Sequence, residues 1–376
     1  MKGLIVLKLE YELIILLTKQ DLNESEINRL KELLGSHLEW DRIIGLLYIH
    51  RVLGIAWLNL KKYYSQDEKN RCAMPRLFKL LNESYNAQKE KFSEQLEYTY
   101  QVCKALEDKN IRYVVLKGVS LSGIIYKDGG LRDFNDNDIL IHPNDLDRAK
   151  EEILSLGYVQ GNVKHHIKIV KPTRRELLIR RMNSHEVIPL VKDISKDSML
   201  AAHHVIDLHF SVNLMTKNHN EDIVEKFLNH RIKEKIQGKM IYSLDYNDMF
   251  IFLCEHFYKE AKSVRDLNMY KDLLLYKICD IYHILLNKNL INWNTIVSTI
   301  EEYEMEKQVE FALTYVKRIF KCDISPLLNK NSYNEDFDIV YQYDSEEVAY
   351  KHNANQELVD RVFDISRPRM INEINK

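Results

Sequence analysis

Three aspartates carry the chemistry that this 376-residue chain announces. Asp136 and Asp138 stand two apart in DFNDNDILI, at the mouth of a short apolar run. Strand residues two apart share a face, so the two carboxylates are forced together. They repel unless a cation sits between them. Mg²⁺ answers that need, because it prefers oxygen ligands and tolerates a few carboxylates beside water and substrate phosphates. Asp207 lies inside HHVIDLHFSVN, an apolar run where a charge is costly to bury alone. Sharing a metal with the first pair gives it a partner; Glu186 and Asp193 are the nearest substitutes for this third carboxylate.

Ahead of the pair, Lys117, Gly118 and Ser120 sit where a strand turns into a helix. The glycine lets a phosphate approach the backbone, the helix start offers N–H groups, and the serine adds a donor. Arg132 stands four residues before Asp136, and His209 shares a strand face with Asp207. Carboxylate-bridged metals beside a phosphate cradle suit in-line displacement on a triphosphate, which is nucleotidyl transfer.

Other readings of the same residues are weighed against this one. An isolated D-x-D also fits a turn or a helix cap. An EF-hand fails, since the sixth loop position is Asp138 instead of glycine and the twelfth is Asn144 instead of glutamate. His203, His204, His209, His165 and His166 suggest zinc, but adjacent strand histidines face opposite ways, so one of each pair at most can serve. The basic cluster Lys164, Lys168, Lys171, Arg174, Arg175, Arg180 and Arg181 reads as a solvated face or as a grip on triphosphate or an acidic acceptor.

The order L-K-G, tyrosine (Tyr126), R-x-x-x-D-x-D and then D-L-H plus an aromatic (Phe210) resembles a bacterial nucleotidyltransferase family labelled uncharacterised, of the polymerase β-like superfamily. The resemblance runs from about Glu39 and Trp40 to near Phe320. It implies Asp136, Asp138 and Asp207 as catalytic metal ligands for Mg²⁺ or Mn²⁺. Lys117, Gly118, Ser120, Arg132 and His209 are implied at the nucleoside triphosphate, with AMP from ATP passing to an unidentified hydroxyl-type acceptor, small molecule or peptide. Two departures stand out: Gly118-Val119-Ser120 replaces a glycine-serine pair, and Asn137 replaces an apolar residue between the aspartates. A non-catalytic nucleotide-binding module and a toxin-like enzyme modifying tRNA or protein remain the alternatives.

The elements that position these residues follow from period and composition. Apolar residues recur at helical spacing from Leu4 to about Lys91, in four or five helices. Strands are expected at Arg112–Leu116, Asn137–Ile141, Lys164–Val170 and Val205–Phe210, with helices between them. Helical period returns from Asn247 to about Phe320, where His256, Lys277 and Asp280 interrupt apolar faces. The expected fold class is α+β: a small mixed β-sheet nucleotidyltransferase core (93–240) between an N-terminal helical domain (1–92) and a C-terminal helical bundle (241–325). An irregular tail (326–376) is expected to follow.

Eleven glycines and six prolines are too few for a turn-rich all-β chain, which favours helices. With 54 basic and 56 acidic residues the net charge is -2. That balance excludes a general nucleic-acid binder and leaves nucleic acid only as a local acceptor. Five scattered cysteines with no C-x-x-C fit a reducing cytoplasm, and no run of 18 uncharged apolar residues marks a membrane span.

Overall fold

β-Branched and apolar runs build the centre of the sheet that carries the aspartates. They form β1 (Tyr113–Val115), β2 (Asn137–Ile141) and, later in the chain, His203–His209. The computed structural model describes residues 8–64, 75–164, 168–212, 221–322, 337–342, 345–352 and 356–374. Helices α1 (Leu9–Leu17), α2 (Glu24–Leu34), α3 (Trp40–Ile49) and α4 (Leu53–Tyr63) precede the long α5 (Pro75–Asp108). After β1 come α6 (Val119–Ile124), β2 and α7 (Leu146–Ser155). Next are β3 (Val159–Gln160), β4 (Asn162–Lys164), β5 (Lys168–Val170), α8 (Arg174–Asn183), β6 (Leu190–Asp193) and β7 (His203–His209). Then α9 (Glu221–His230), β8 (Ile232–Ile236) and β9 (Lys239–Ser243) lead into α10 (Tyr246–Ala261). Helices α11 (Val264–Asn268), α12 (Leu275–Leu286), α13 (Trp293–Glu302) and α14 (Glu306–Phe320) follow. The chain ends through β10 (Ile339–Gln342), β11 (Ser345–His352), α15 (Leu358–Phe363) and β12 (Ile371–Ile374).

The chain divides into two compact units. One comprises Met1–Tyr85, His256–Lys288 and Glu304–Lys376; the other comprises Asn86–Glu255 and Asn289–Tyr303. The first unit is largely helical. Its end corrects the irregular tail expected over 326–376: β10, β11 and β12 form an antiparallel sheet. The strands IVYQ, SEEVAYKH and INEI carry no helical period, and their pairing is set by the fold. Two buried arginines tie this region down: Arg367 meets Asp272 at 2.6 Å with both side chains 1 % exposed, and Arg361 meets Asp338 at 2.5 Å. Lys277, one of the polar interruptions, is buried and donates to the Glu260 carboxylate and the Lys271 carbonyl. That is a satisfied interior charge, as burial requires.

The second unit holds a seven-stranded mixed sheet in the order β3-β6-β7-β2-β1-β9-β8. β2 pairs parallel with β7 and antiparallel with β1, while β1 pairs parallel with β9. The strand expected over Lys164–Val170 is instead a separate hairpin of β4 and β5; His165 and His166 lie outside the described residues. All five residues of β2 are buried, which fits a central strand covered on both faces.

Asn137, the departure between the two aspartates, faces away from them. Its Nδ2 donates to Gln95 Oε1 of α5 at 2.9 Å and lies 3.4 Å from His204 Nε2. His204 in turn meets Thr99 Oγ1 at 3.1 Å and Tyr158 OH at 2.8 Å. A buried polar residue here therefore fastens α5 to the sheet with its hydrogen-bonding groups matched. Burial pushes the His204 imidazole down to about 3, so the ring is neutral in this network.

The same amide shapes the turn after β1. Its Oδ1 accepts from Val119 N–H at 3.4 Å, while Leu116 N–H donates to the Asp138 carbonyl at 2.8 Å. Between them Gly118 adopts φ 60°, ψ -119°, a conformation open to glycine and strained for other residues. A Cβ at this position would lie 2.7 Å from Asn137 Oδ1 and 2.9 Å from the Asp136 carbonyl. Among the described residues no helix is long and apolar enough to cross a membrane. Gly118→Ala should cost about 1–3 kcal/mol through backbone strain. Urea denaturation measures this, and an unchanged midpoint would contradict the turn geometry.

Candidate functional site

Alternation along two parallel strands assembles the site. In the β2/β7 register Asp138 stands opposite Asp207, and Leu140 opposite His209. Asp138, Asp207 and His209 thus line one face while Asn137 and His204 line the other. Glu186 reaches the same face because it bridges His209 just before β6, with Val187 N–H donating to the Leu208 carbonyl at 3.0 Å. Asp138, Glu186 and Asp207 each present a carboxylate oxygen within 4.8 Å of the others.

Cationic and imidazole groups face these carboxylates. Lys117 Nζ lies 3.2 Å from Asp138 Oδ1, so its side chain, 12 % exposed, folds against the site. Arg180 of α8 donates to Glu186 Oε1. His209 Nε2 lies 3.0 Å from Asp138 Oδ1 and 3.1 Å from Glu186 Oε2. Its ring is 1 % exposed, with the His185 ring tilted against it at 5.2 Å.

Asp207 bears the strain of this crowding. Burial, then the charges of Glu186, Asp136 and Asp138, holds its carboxyl well above the usual carboxylate range, with Lys117 opposing. The residue is partly exposed, yet its Oδ1 is sealed from solvent and has no hydrogen-bond partner among the described residues. Oxygen donors that repel one another and include a sealed, unsatisfied atom fit a hard divalent cation.

The other sequence candidates fall at different distances from this cluster. Asp136 lies just outside β2 and is exposed, but its charge reaches Asp207. Ser120 is fully buried with its Oγ 2.5 Å from Ser243 Oγ of β9. The hydroxyl expected to serve a phosphate is thus in contact with the sheet. Arg132 is 4 % exposed, its guanidinium 6.0 Å from the Phe134 ring centre and its carbonyl accepting from Gln88. His204 belongs to the opposite face, and His203 pairs in register with Asp193. Asp193 itself is turned to Ser195, away from the carboxylates. Of the basic cluster, Arg180 reaches the site and Arg181 pairs with Asp147.

His185 is the site residue that sequence reading missed. Its signal was faint: a histidine-glutamate pair at a loop end, with no strand period around it.

The raised proton affinity of Asp207 has a definite pH signature. A carboxyl whose value is raised on folding stabilises the fold at low pH and withdraws that contribution as pH climbs through the folded-state value. Asp207→Asn has no such loss. In chelator, its melting temperature relative to wild type should rise as pH climbs above the ordinary carboxylate range. A difference that stays flat would contradict the repulsion described here.

Comparison with known proteins adds a family. The family described as "Uncharacterised nucleotidyltransferase" matches residues 36–321. No curated protein matches the chain. Among solved structures, an antigenic nucleotidyltransferase-like protein from Paracoccidioides brasiliensis is similar at 12% identity and a TM-score of 0.34, covering 64% of this chain and 98% of that one. Since the family match spans well over half the chain and includes every carboxylate of the site, this protein belongs to the uncharacterised nucleotidyltransferase family.

Proposed function

We propose that the chain transfers a nucleoside monophosphate, AMP from ATP, to a hydroxyl-type acceptor on a small molecule or peptide. Mg²⁺ or Mn²⁺ would be held by Asp136, Asp138 and Asp207. The observation that carries this reading is the pairing of Asp138 with Asp207 across parallel strands, with Lys117 and the Gly118 turn at the same edge. A cation bound there would polarise the acceptor oxygen and neutralise charge on the departing pyrophosphate.

The chain's own groups have distinct tasks. Lys117, already against Asp138, is set to meet the negative charge of the triphosphate. Gly118 has no side chain to hold a phosphate away from the backbone. Asp207, whose charge is disfavoured, is suited to receive the acceptor's proton on its carboxylate. His209 spans Asp138 and Glu186 and so fixes both carboxylates in the ground state. Arg132 remains a candidate for the triphosphate. Ser120 supports the turn from beneath through Ser243.

Binding and chemistry should separate between the two central aspartates. Asp207→Asn should retain ATP affinity in calorimetry with Mg²⁺ yet lose single-turnover transfer by about a thousandfold or more. Asp138→Asn should lose both. Retained transfer in Asp207→Asn would remove the third carboxylate from the mechanism.

A further inference from the structure

One oxygen of Glu186 is faced by two buried imidazoles. Glu186 Oε2 lies 3.1 Å from His209 Nε2 and 3.7 Å from His185 Nε2, and its other oxygen, Oε1, is taken by Arg180. His185 is 3 % exposed and His209 1 %. The three residues bring one donor atom each within 4.8 Å of one another. Metal–ligand bonds of about 2.1 Å place neighbouring donors about 3 to 3.5 Å apart, and the two distances to Glu186 Oε2, 3.1 and 3.7 Å, lie close to that range.

We propose that His185, Glu186 and His209 form a second, mixed nitrogen–oxygen site for a divalent transition-metal ion, joined to the carboxylate site through Glu186 and Asp138.

Three features favour a cation over hydrogen bonds alone. First, four acidic groups, Asp136, Asp138, Glu186 and Asp207, crowd this edge, with Lys117 against Asp138 and Arg180 against Glu186. A divalent cation among them relieves the repulsion that the carboxylates impose on one another. Second, two rings converge on a single carboxylate oxygen, although one proton on either ring would suffice for a hydrogen bond. Third, Arg180 grips Glu186 through Oε1 and leaves Oε2 toward the imidazoles, the outer arrangement that orients a ligating carboxylate.

Donor chemistry sets the preference. Imidazole nitrogen suits Mn²⁺, Co²⁺ or Zn²⁺, whereas Mg²⁺ prefers an all-oxygen shell. The site therefore makes this edge of the sheet selective for transition metals even where Mg²⁺ serves the carboxylates. Metal binding here needs no nucleotide, so its failure and a failure of nucleotidyl transfer are separate results.

The test uses the full chain, stripped with chelator and titrated with Mn²⁺ alone. Pulsed electron paramagnetic resonance should show nitrogen coupling from directly bound imidazole, and Mg²⁺ should compete poorly for the bound ion. His185→Gln and His209→Gln keep a hydrogen-bonding group toward Glu186 but offer no imidazole. Each should weaken the coupling and lower Mn²⁺ affinity by about tenfold or more, with thermal melts confirming the fold. Bound Mn²⁺ without nitrogen coupling in the wild type would overturn the proposal, as would absence of Mn²⁺ binding. Unchanged affinity and spectrum in both variants would equally mean that the imidazoles are hydrogen-bonding partners of Glu186 and nothing more.

Discussion

Mutual repulsion among carboxylates at one edge of the sheet is the constraint on which the site depends. Two charges within 4.8 Å repel by roughly 3 kcal/mol at an effective dielectric constant near 20. Asp138, Glu186 and Asp207 multiply that cost, and Lys117 and Arg180 offset part of it. The backbone leaves the side chains no retreat. Parallel pairing of β2 with β7 sets Asp138 against Asp207, and the bridge from Glu186 to His209 brings the third carboxylate to the same face. A fold that holds such a cluster stores an affinity for cations in its strand register.

The opposite face of the same strands explains how the register is kept. Asn137 sits between the two aspartates in sequence and on the other side of the sheet in space. Through Gln95, His204, Thr99 and Tyr158 it belongs to a buried network whose hydrogen-bonding groups are matched. Such a network tolerates little sliding, because a shift would leave buried donors and acceptors unmatched. Its Oδ1 also lies where a side chain on Gly118 would go, so the turn beside Asp138 and the packing of α5 are linked through one amide. The residue that departs from the family pattern thus has a structural task.

Much of this was legible in the sequence because strand alternation is a local rule. The run NDILI gave β2 with its bounds intact, and the strand expected over Val205–Phe210 is the one that carries Asp207, running His203–His209. Tertiary pairing was not legible. Nothing local says that β1 and β2 run antiparallel, or that β9, more than a hundred residues later, completes the sheet beside β1. The contact of Ser120 with Ser243 was hidden for that reason, since Ser243 arrives from β9. His185 escaped the reading because a single isolated bridge at its neighbour Glu186, with no strand around it, brings the pair to the site. The terminal sheet of β10, β11 and β12 was not legible for the same reason, since its pairings are tertiary.

The central claim is that the carboxylate edge acts at the α-phosphate of a nucleoside triphosphate. It is tested most directly by supplying ATP labelled at either the α or the γ position, with divalent cation and a cell extract as the source of acceptor. Label from the α position should enter product with release of unlabelled pyrophosphate, and Asp138→Asn should abolish the incorporation. Incorporation of the γ label, or α incorporation that survives in Asp138→Asn, would contradict the account.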